Sequence, residues 1–272
     1  MKKKSLLTLL ILALMGAMLL AGCSTSDGGT DNQTSENSGN DDQTFVIGLD
    51  DSFPPMGFRD EENNIVGFDI DLATEAAKRM GMDIKLQVIN WDTKELELDS
   101  GNVDALWNGL SVTPEREEAM TMTKPYLEND QVIVVKKDSD IAAKADLEGK
   151  NVGLQKGSSA YDAFMADDIN TKVAAMNEYP ENVSALQDLG IGRIDAVIVD
   201  SVVARYYISS ENADFTILDE TLAPETYAVA VKKGNTELQE KIQKAMDDMM
   251  ADGTAAKISE KWFGEDIMYK GN

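Results

Sequence analysis

A chain of 272 residues with 49 acidic against 25 basic residues carries a formal charge of −24, which sets its surface against phosphate backbones and excludes nucleic-acid binding by bulk electrostatics. With no His and a single Cys it has no Ser-His-Asp triad, no His-based zinc site, no Cys cluster and no internal disulfide, and no metal or cofactor is expected. Hydrophobic residues make up 43% of the chain, enough for a core, and the length suits one large domain or two smaller ones.

The N-terminus reads as processing rather than fold. Lys2, Lys3 and Lys4 precede an apolar run from Leu6 to Leu20 that closes on Ala21-Gly22-Cys23. A basic stretch, an apolar stretch and a small-residue cut site predict an export signal over residues 1–22. The apolar run falls short of the ~20 residues a spanning helix needs. Leu20-Ala21-Gly22-Cys23 resembles a bacterial lipobox, in which Cys23 is diacylated and becomes the mature N-terminus. Residues 23–43 offer almost nothing to bury and read as a flexible tether. The expected location is the extracytoplasmic face of the cell membrane, held by the lipid anchor.

From Thr44 strand and helix signals alternate. Phe45-Val46-Ile47-Gly48-Leu49 suits a buried parallel strand. Ala73, Ala76, Ala77 and Met80 repeat at helical spacing after Asp69, with Gly81 where a C-terminal cap belongs. Ile84-Lys85-Leu86-Gln87-Val88 returns as a strand, which completes the βαβ order of an α/β protein. The segment Leu98-Asp99-Ser100-Gly101-Asn102-Val103-Asp104-Ala105 then recurs as Leu189-Gly190-Ile191-Gly192-Arg193-Ile194-Asp195-Ala196. Each copy follows a short apolar strand, 46–49 and 151–154, so two similar α/β lobes are expected, with Asp104 and Asp195 structural in both. Val132-Ile133-Val134-Val135 and Tyr227-Ala228-Val229-Ala230-Val231, each followed by Lys-Lys, bracket the second copy, and hinges are expected near residues 132–137 and 225–231. Helices near 236–252 and 254–263 close the chain. The expected division is 44–132 and 226–272 for lobe 1 and 133–225 for lobe 2, with a ligand cleft between them.

Four ordered blocks carry a resemblance over residues 45–264. They are Gly67-Phe68-Asp69-Ile70-Asp71-Leu72-Ala73; Asn108-Gly109-Leu110-Ser111-Val112-Thr113-Pro114-Glu115-Arg116 with Thr123-Lys124-Pro125-Tyr126; Asp146-Leu147-Glu148-Gly149-Lys150 with Gly157-Ser158-Ser159; and Asp195-Ala196-Val197-Ile198-Val199-Asp200. Together they resemble family 3 of the extracellular solute-binding proteins, the polar amino-acid receptors of ABC importers. The resemblance implies a type II periplasmic binding protein-like fold: two Rossmann-like α/β lobes joined by two hinge strands and closing on an amino acid.

It also implies roles for named residues. An amino acid presents a carboxylate and an ammonium, and Arg116, with its planar fork, is the expected carboxylate partner. Thr113-Pro114 reads as the start of a helix, which places Arg116 in the first turn beside unpaired N–H groups. The bland reading pairs Arg116 with Glu115 or Glu117 on a solvated face. Gly109 and Ser111 match backbone groups that contact ligand, and either Ser158 or Ser159 matches a hydroxyl that also meets the carboxylate. Asp200 matches the ammonium partner, or else caps the helix from Ser201. Asp50, Phe53 and Trp91 match a side-chain pocket of one acid and two aromatic walls. Phe58 and Phe68 are expected in the core, and the role of Trp107 is open. Two departures from the pattern stand out: Asp51 doubles the acid, and Met56 replaces a usual aromatic.

The expected function is capture of a free amino acid by a monomeric, lipid-anchored receptor that delivers to ABC permease subunits. Lys, Arg, ornithine and Gln are favoured, since a cationic or amide tip suits acids at 50 and 51. A dehydratase-like enzyme and a ligand-sensing domain are the alternatives on the same fold.

Overall fold

The structure, a computed structural model, describes residues 44–271. The expected export signal, the lipidation site Cys23 and the tether lie outside the described residues.

The apolar run at 45–49 forms β1 (Thr44–Leu49), with Phe45, Ile47 and Leu49 fully buried. β2 (Ser52–Phe53), β3 (Gly57–Arg59) and β4 (Ile65–Val66) make a small antiparallel sheet. α1 (Phe68–Met80) buries Phe68, Ile70, Leu72, Ala73, Ala76 and Ala77 along one face and ends at the expected Gly81 cap. β5 (Asp83–Val88), α2 (Lys94–Asp99), β6 (Ala105–Leu106), α3 (Pro114–Ala119) and β7 (Met120–Met122) follow. The chain then runs through β8 (Leu127–Lys136), β9 (Asn151–Gln155), α4 (Ser159–Ala166), β10 (Ala175–Tyr179), α5 (Asn182–Gly190), β11 (Ala196–Asp200) and α6 (Ser201–Ser209). β12 (Phe215–Tyr227) leads back to β13 (Ala230–Lys232), α7 (Thr236–Ala251) and α8 (Thr254–Phe263).

Two five-stranded sheets result, in the orders β5-β1-β6-β13-β7 and β10-β9-β11-β8-β12. In each, four strands run one way and one, β13 or β8, runs against them next to the edge. The repeated sequence segment explains the likeness. Asp104 accepts the Val46 N–H at 2.8 Å and donates its own N–H to the Val46 carbonyl at 2.8 Å. Asp195 does the same with Asn151, at 2.7 and 2.9 Å. In both lobes the Asp therefore fixes the entry of one parallel strand against the start of its neighbour.

The tail returns to the first sheet: α7 and α8 pack on α1, and Trp262 Nε1 donates to Asp71 at 2.7 Å. The expected hinge near 132–137 lies within the second sheet, whereas the one near 225–231 begins at the crossing. Residues 132–135 are an interior stretch of the second sheet, hydrogen-bonded to β11 on one side and β12 on the other. The crossing itself is the polar start of β8 against the end of β12, where Glu128 faces Thr226 and Asp130 faces Pro224. On the return, residues 230–232 belong to the first sheet, Val231 pairing with Ala105 and Thr121. Burial on both faces accounts for the apolar composition; a connector between lobes has no core to fill.

Candidate functional site

The two lobes meet tightly around a small cavity. Asp50, Phe53, Trp91, Gly109, Ser111 and Arg116 line it from the first lobe, and Ser158, Ser159 and Asp200 from the second. All nine residues expected at the site are brought together. Topology does this: Asp50 follows β1, Gly109 and Ser111 follow β6, Ser158 follows β9 and Asp200 ends β11, so the carboxyl ends of parallel strands from both sheets converge.

Arg116 sits in the first turn of α3, where Thr113 caps the helix by accepting the Arg116 N–H at 3.2 Å. Its side chain is 6% exposed, and Nη1 donates to the Ser111 carbonyl at 2.9 Å. Among the described residues it forms no ion pair, so the expected competition from Glu115 or Glu117 does not arise. A buried guanidinium held by one backbone carbonyl leaves most of its donors for an anion in the cavity.

Asp200 is the opposite pole. It is 4% exposed, and its Oδ1 accepts from Asn129 Nδ2 at 2.7 Å, Gln131 Nε2 at 2.8 Å and the Tyr227 hydroxyl at 2.6 Å. It stands at the N-cap position of α6, yet its side chain makes no cap hydrogen bond. Burial, and then the charge of Glu225, hold its carboxyl well above the usual range. No Lys or Arg pairs with it among the described residues. A buried cation without an anion and a buried carboxyl without a cation therefore line one cavity.

Asp50 forms the third pole. Its Oδ1 accepts from the Ser52 N–H at 2.8 Å and its Oδ2 from Gln155 Nε2 at 2.7 Å, across the lobes. Burial pushes its carboxyl up to about 6, against the pull of those two donors. Asp51 does not double this charge, because its carboxylate turns away to pair with Arg59. Phe53 and Trp91 are 5% and 7% exposed and wall the cavity as expected. Met56 is fully buried in the core instead. Phe68 and Trp107 are core residues, but Phe58 is not. Its ring packs between Trp262, 5.9 Å away, and Tyr206 of the other lobe, 5.7 Å away.

The two serines separate. Ser158 caps α4, accepting the Tyr161 N–H and donating to the Gln155 carbonyl, so its hydroxyl is engaged. The Ser159 hydroxyl meets that of Ser111 across the lobes at 2.8 Å and accepts from Gln131 at 3.2 Å.

Four residues of consequence escaped the sequence reading. Asn108 lines the cavity; its Oδ1 accepts the Asp50 N–H, and its buried Nδ2 has no partner among the described residues. Gln155 lines it too, its orientation set by Asn182 Nδ2 donating to Oε1 at 2.9 Å. Both flank motif residues, and that adjacency was the available signal. Asp69 looked like a first-turn helix acid but is fully buried, accepting the Gly109 N–H at 2.6 Å and the Tyr126 hydroxyl at 2.8 and 2.9 Å. It thereby pins the site loop at Gly109, whose φ of +57° and contact with Phe53, 2.6 Å from any added β-carbon, admit only glycine. Lys94 is 2% exposed and donates across the lobes to the Gly157 carbonyl at 2.8 Å. Burial, then the nearby Arg116, lower its ammonium below the usual range.

Residues 45–265 match the family described as bacterial extracellular solute-binding proteins, family 3. The L-cystine-binding protein TcyJ of Escherichia coli K12 is 31% identical over 263 residues, covering 94% of this chain and 96% of its own. A substrate-binding protein of an ABC uptake transporter from Streptococcus pneumoniae, solved with bound histidine, superposes with a TM-score of 0.81 at 40% identity, over 84% of this chain and 95% of its own. An ancestral arginine-binding protein bound to arginine gives 0.77 at 41% identity, over 81% and 98%. The two-lobed type II architecture is common to these structures, and these relatives are binding proteins, which removes the dehydratase-like alternative. No described helix is long and apolar enough to cross a membrane.

Proposed function

This chain belongs to family 3 of the bacterial extracellular solute-binding proteins, and from that premise we propose that its cleft captures a polar or cationic amino acid for an ABC importer. The observation that carries the reading is a pair of buried groups without a partner of opposite charge, the Arg116 guanidinium and the Asp200 carboxyl, on one cavity. A zwitterion supplies both missing partners at once: its carboxylate to Arg116, the Ser111 backbone and the Ser159 hydroxyl, its ammonium to Asp200. A side chain then extends between Phe53 and Trp91 toward Asp50, Gln155 and Asn108. One acid and two amides at that end favour Arg, Lys, ornithine or Gln over Asp and Glu, whose second carboxylate would face Asp50. The relatives named above, for cystine, histidine and arginine, support an amino-acid ligand without fixing which.

The lobes close by rotation about the double crossing at β8 and β12, and the receptor acts as a monomer. Residues 1–22 direct export, Cys23 carries the lipid, and residues 23–43 let the folded part reach the permease from the membrane surface. A thermal-shift panel of the twenty amino acids plus ornithine and cystine tests the reading. Ligand at ~100 times its dissociation constant adds about 2.7 kcal/mol of stability. Arg, Lys, ornithine or Gln should give the largest shift; a larger shift from Glu or Leu would overturn the pocket assignment.

A further inference from the structure

Glu225 reaches the ammonium pole from behind. Its Oε1 accepts from Asn129 Nδ2 at 2.6 Å and from Gln131 Nε2 at 2.8 Å, the same two nitrogens that serve Asp200 Oδ1. Two carboxylates thus share two amide groups. The Asn129 amide is fixed in this sense, because its Oδ1 accepts from the Ser201 hydroxyl and the Val202 N–H. Neither acid has a Lys or Arg partner among the described residues. The groups around Asp200 are known from each side: Glu225 and Tyr227 from β12, Asn129 and Gln131 from β8, and Arg116 and Asp50 across the cavity. The amide and hydroxyl donors all reach Asp200 through Oδ1, and a hydrogen bond with the Glu225 carboxyl adds to burial and the Glu225 charge in raising Asp200.

We propose that Glu225 is a positioning residue that loads a proton onto Asp200 in the empty receptor, and that ligand capture expels it. Two like charges bridged by the same amides resist simultaneous ionisation, and burial of Asp200 adds to the resistance. When the ligand's ammonium arrives, the O–H bond at Asp200 Oδ2 breaks and its proton passes to water in the open cleft. Oδ2 then accepts an N–H from the ammonium, which keeps all three of its protons. Binding of one amino acid is therefore coupled to release of one proton. Affinity falls tenfold for each unit of pH below the point where the empty Asp200 gains its proton. The receptor's charge at this pole is matched to a ligand amine that is already cationic. This rests on the cleft being an amino-acid site.

The test is calorimetric titration of the purified protein in buffers of differing ionisation enthalpy, at about pH 7.5, above the values of about 6 and about 7 to which burial raises Asp50 and Asp69. The probe is whichever of arginine, lysine, glutamine, histidine and cystine stabilises the protein most. The slope of heat against buffer enthalpy should show proton release by the native protein, and Glu225→Gln, which keeps both amide contacts, should lower the count while the amino acid still binds. Binding with no proton released by the native protein overturns the proposal and leaves the amino-acid reading intact. So does an undiminished count in Glu225→Gln, since the proton then has another source. If none of the five binds, the reading of the cleft fails and the proposal falls with it.

Discussion

Gly157 gives the sharpest handle on closure. It lies in the loop before α4, with φ of +68°, and a β-carbon placed on it would be 2.9 Å from the Asp92 Cα of the other lobe. Gly157→Ala therefore carries two separable penalties. The left-handed backbone costs an alanine about 1–2 kcal/mol wherever the lobes are. The contact with Asp92 exists only when they meet, and backbone against backbone cannot yield by changing a rotamer; overpacking of this kind costs ~1–3 kcal/mol. It also strains two interlobe bonds beside it, from Lys94 to the Gly157 carbonyl at 2.8 Å and between Lys156 and Asp92 at 2.9 Å. Denaturant unfolding of the ligand-free variant should report only the first penalty. Calorimetric titration with the best amino acid should report the second, a weakening of roughly 10- to 100-fold. Scattering should show less compaction with ligand than in the native protein. Reduced stability with unchanged affinity and full compaction would refute the idea that this contact belongs to the bound, closed state.

Other expectations follow from the same geometry. Arg116→Ala leaves a ligand carboxylate buried without its cation, which costs about 3–5 kcal/mol, so the thermal shift should vanish for every amino acid. The free protein should unfold almost as before, because the side chain gives up only its bond to Ser111. Asp50→Asn should keep binding but reorder the amino acids, lowering Arg and Lys relative to Gln in the same panel. Asp69 has its carboxyl raised from 3.8 to about 7 by burial. The folded state therefore holds that proton more tightly than the unfolded chain. The stability it contributes is full below about pH 4 and is lost as pH rises through about 7, a change of up to ~4 kcal/mol. Asn cannot ionise, so unfolding curves of the native protein should fall relative to Asp69→Asn over that range; a gap moving the other way would count against the burial argument. Cys23→Ser should move the protein from the membrane fraction to the soluble one, with no acylated N-terminus by mass spectrometry.

Much of this molecule was legible before any coordinates. Strand and helix periods located β1, α1, β5, α7 and α8, because each buries one stripe or both faces of a regular element. The repeated Gly-x-(Val/Ile)-Asp-Ala segment announced two lobes because the same Asp-to-backbone clasp was needed twice. Site residues could be read where a short motif fixes chemistry to a strand end, as at Arg116 and Asp200. What escaped depends on contacts between distant segments. Asp69 and Gly109 are 40 residues apart, and Gln155 and Asp50 are 105 apart. The first hinge was placed a few residues too late for a related reason: an apolar run reports burial, and the crossing between lobes is polar. Asp51 misled because its neighbour at 50 faces the cavity while Arg59, eight residues on, draws it outward.

The most direct test of amino-acid capture between the lobes is a crystal structure of the protein with its best amino acid from the panel. The ligand's carboxylate should lie on the Arg116 guanidinium and its ammonium on Asp200, with the side chain between Phe53 and Trp91 and its tip at Asp50. A ligand bound in the reverse sense, or anywhere outside the cavity that these residues line, would contradict the claim.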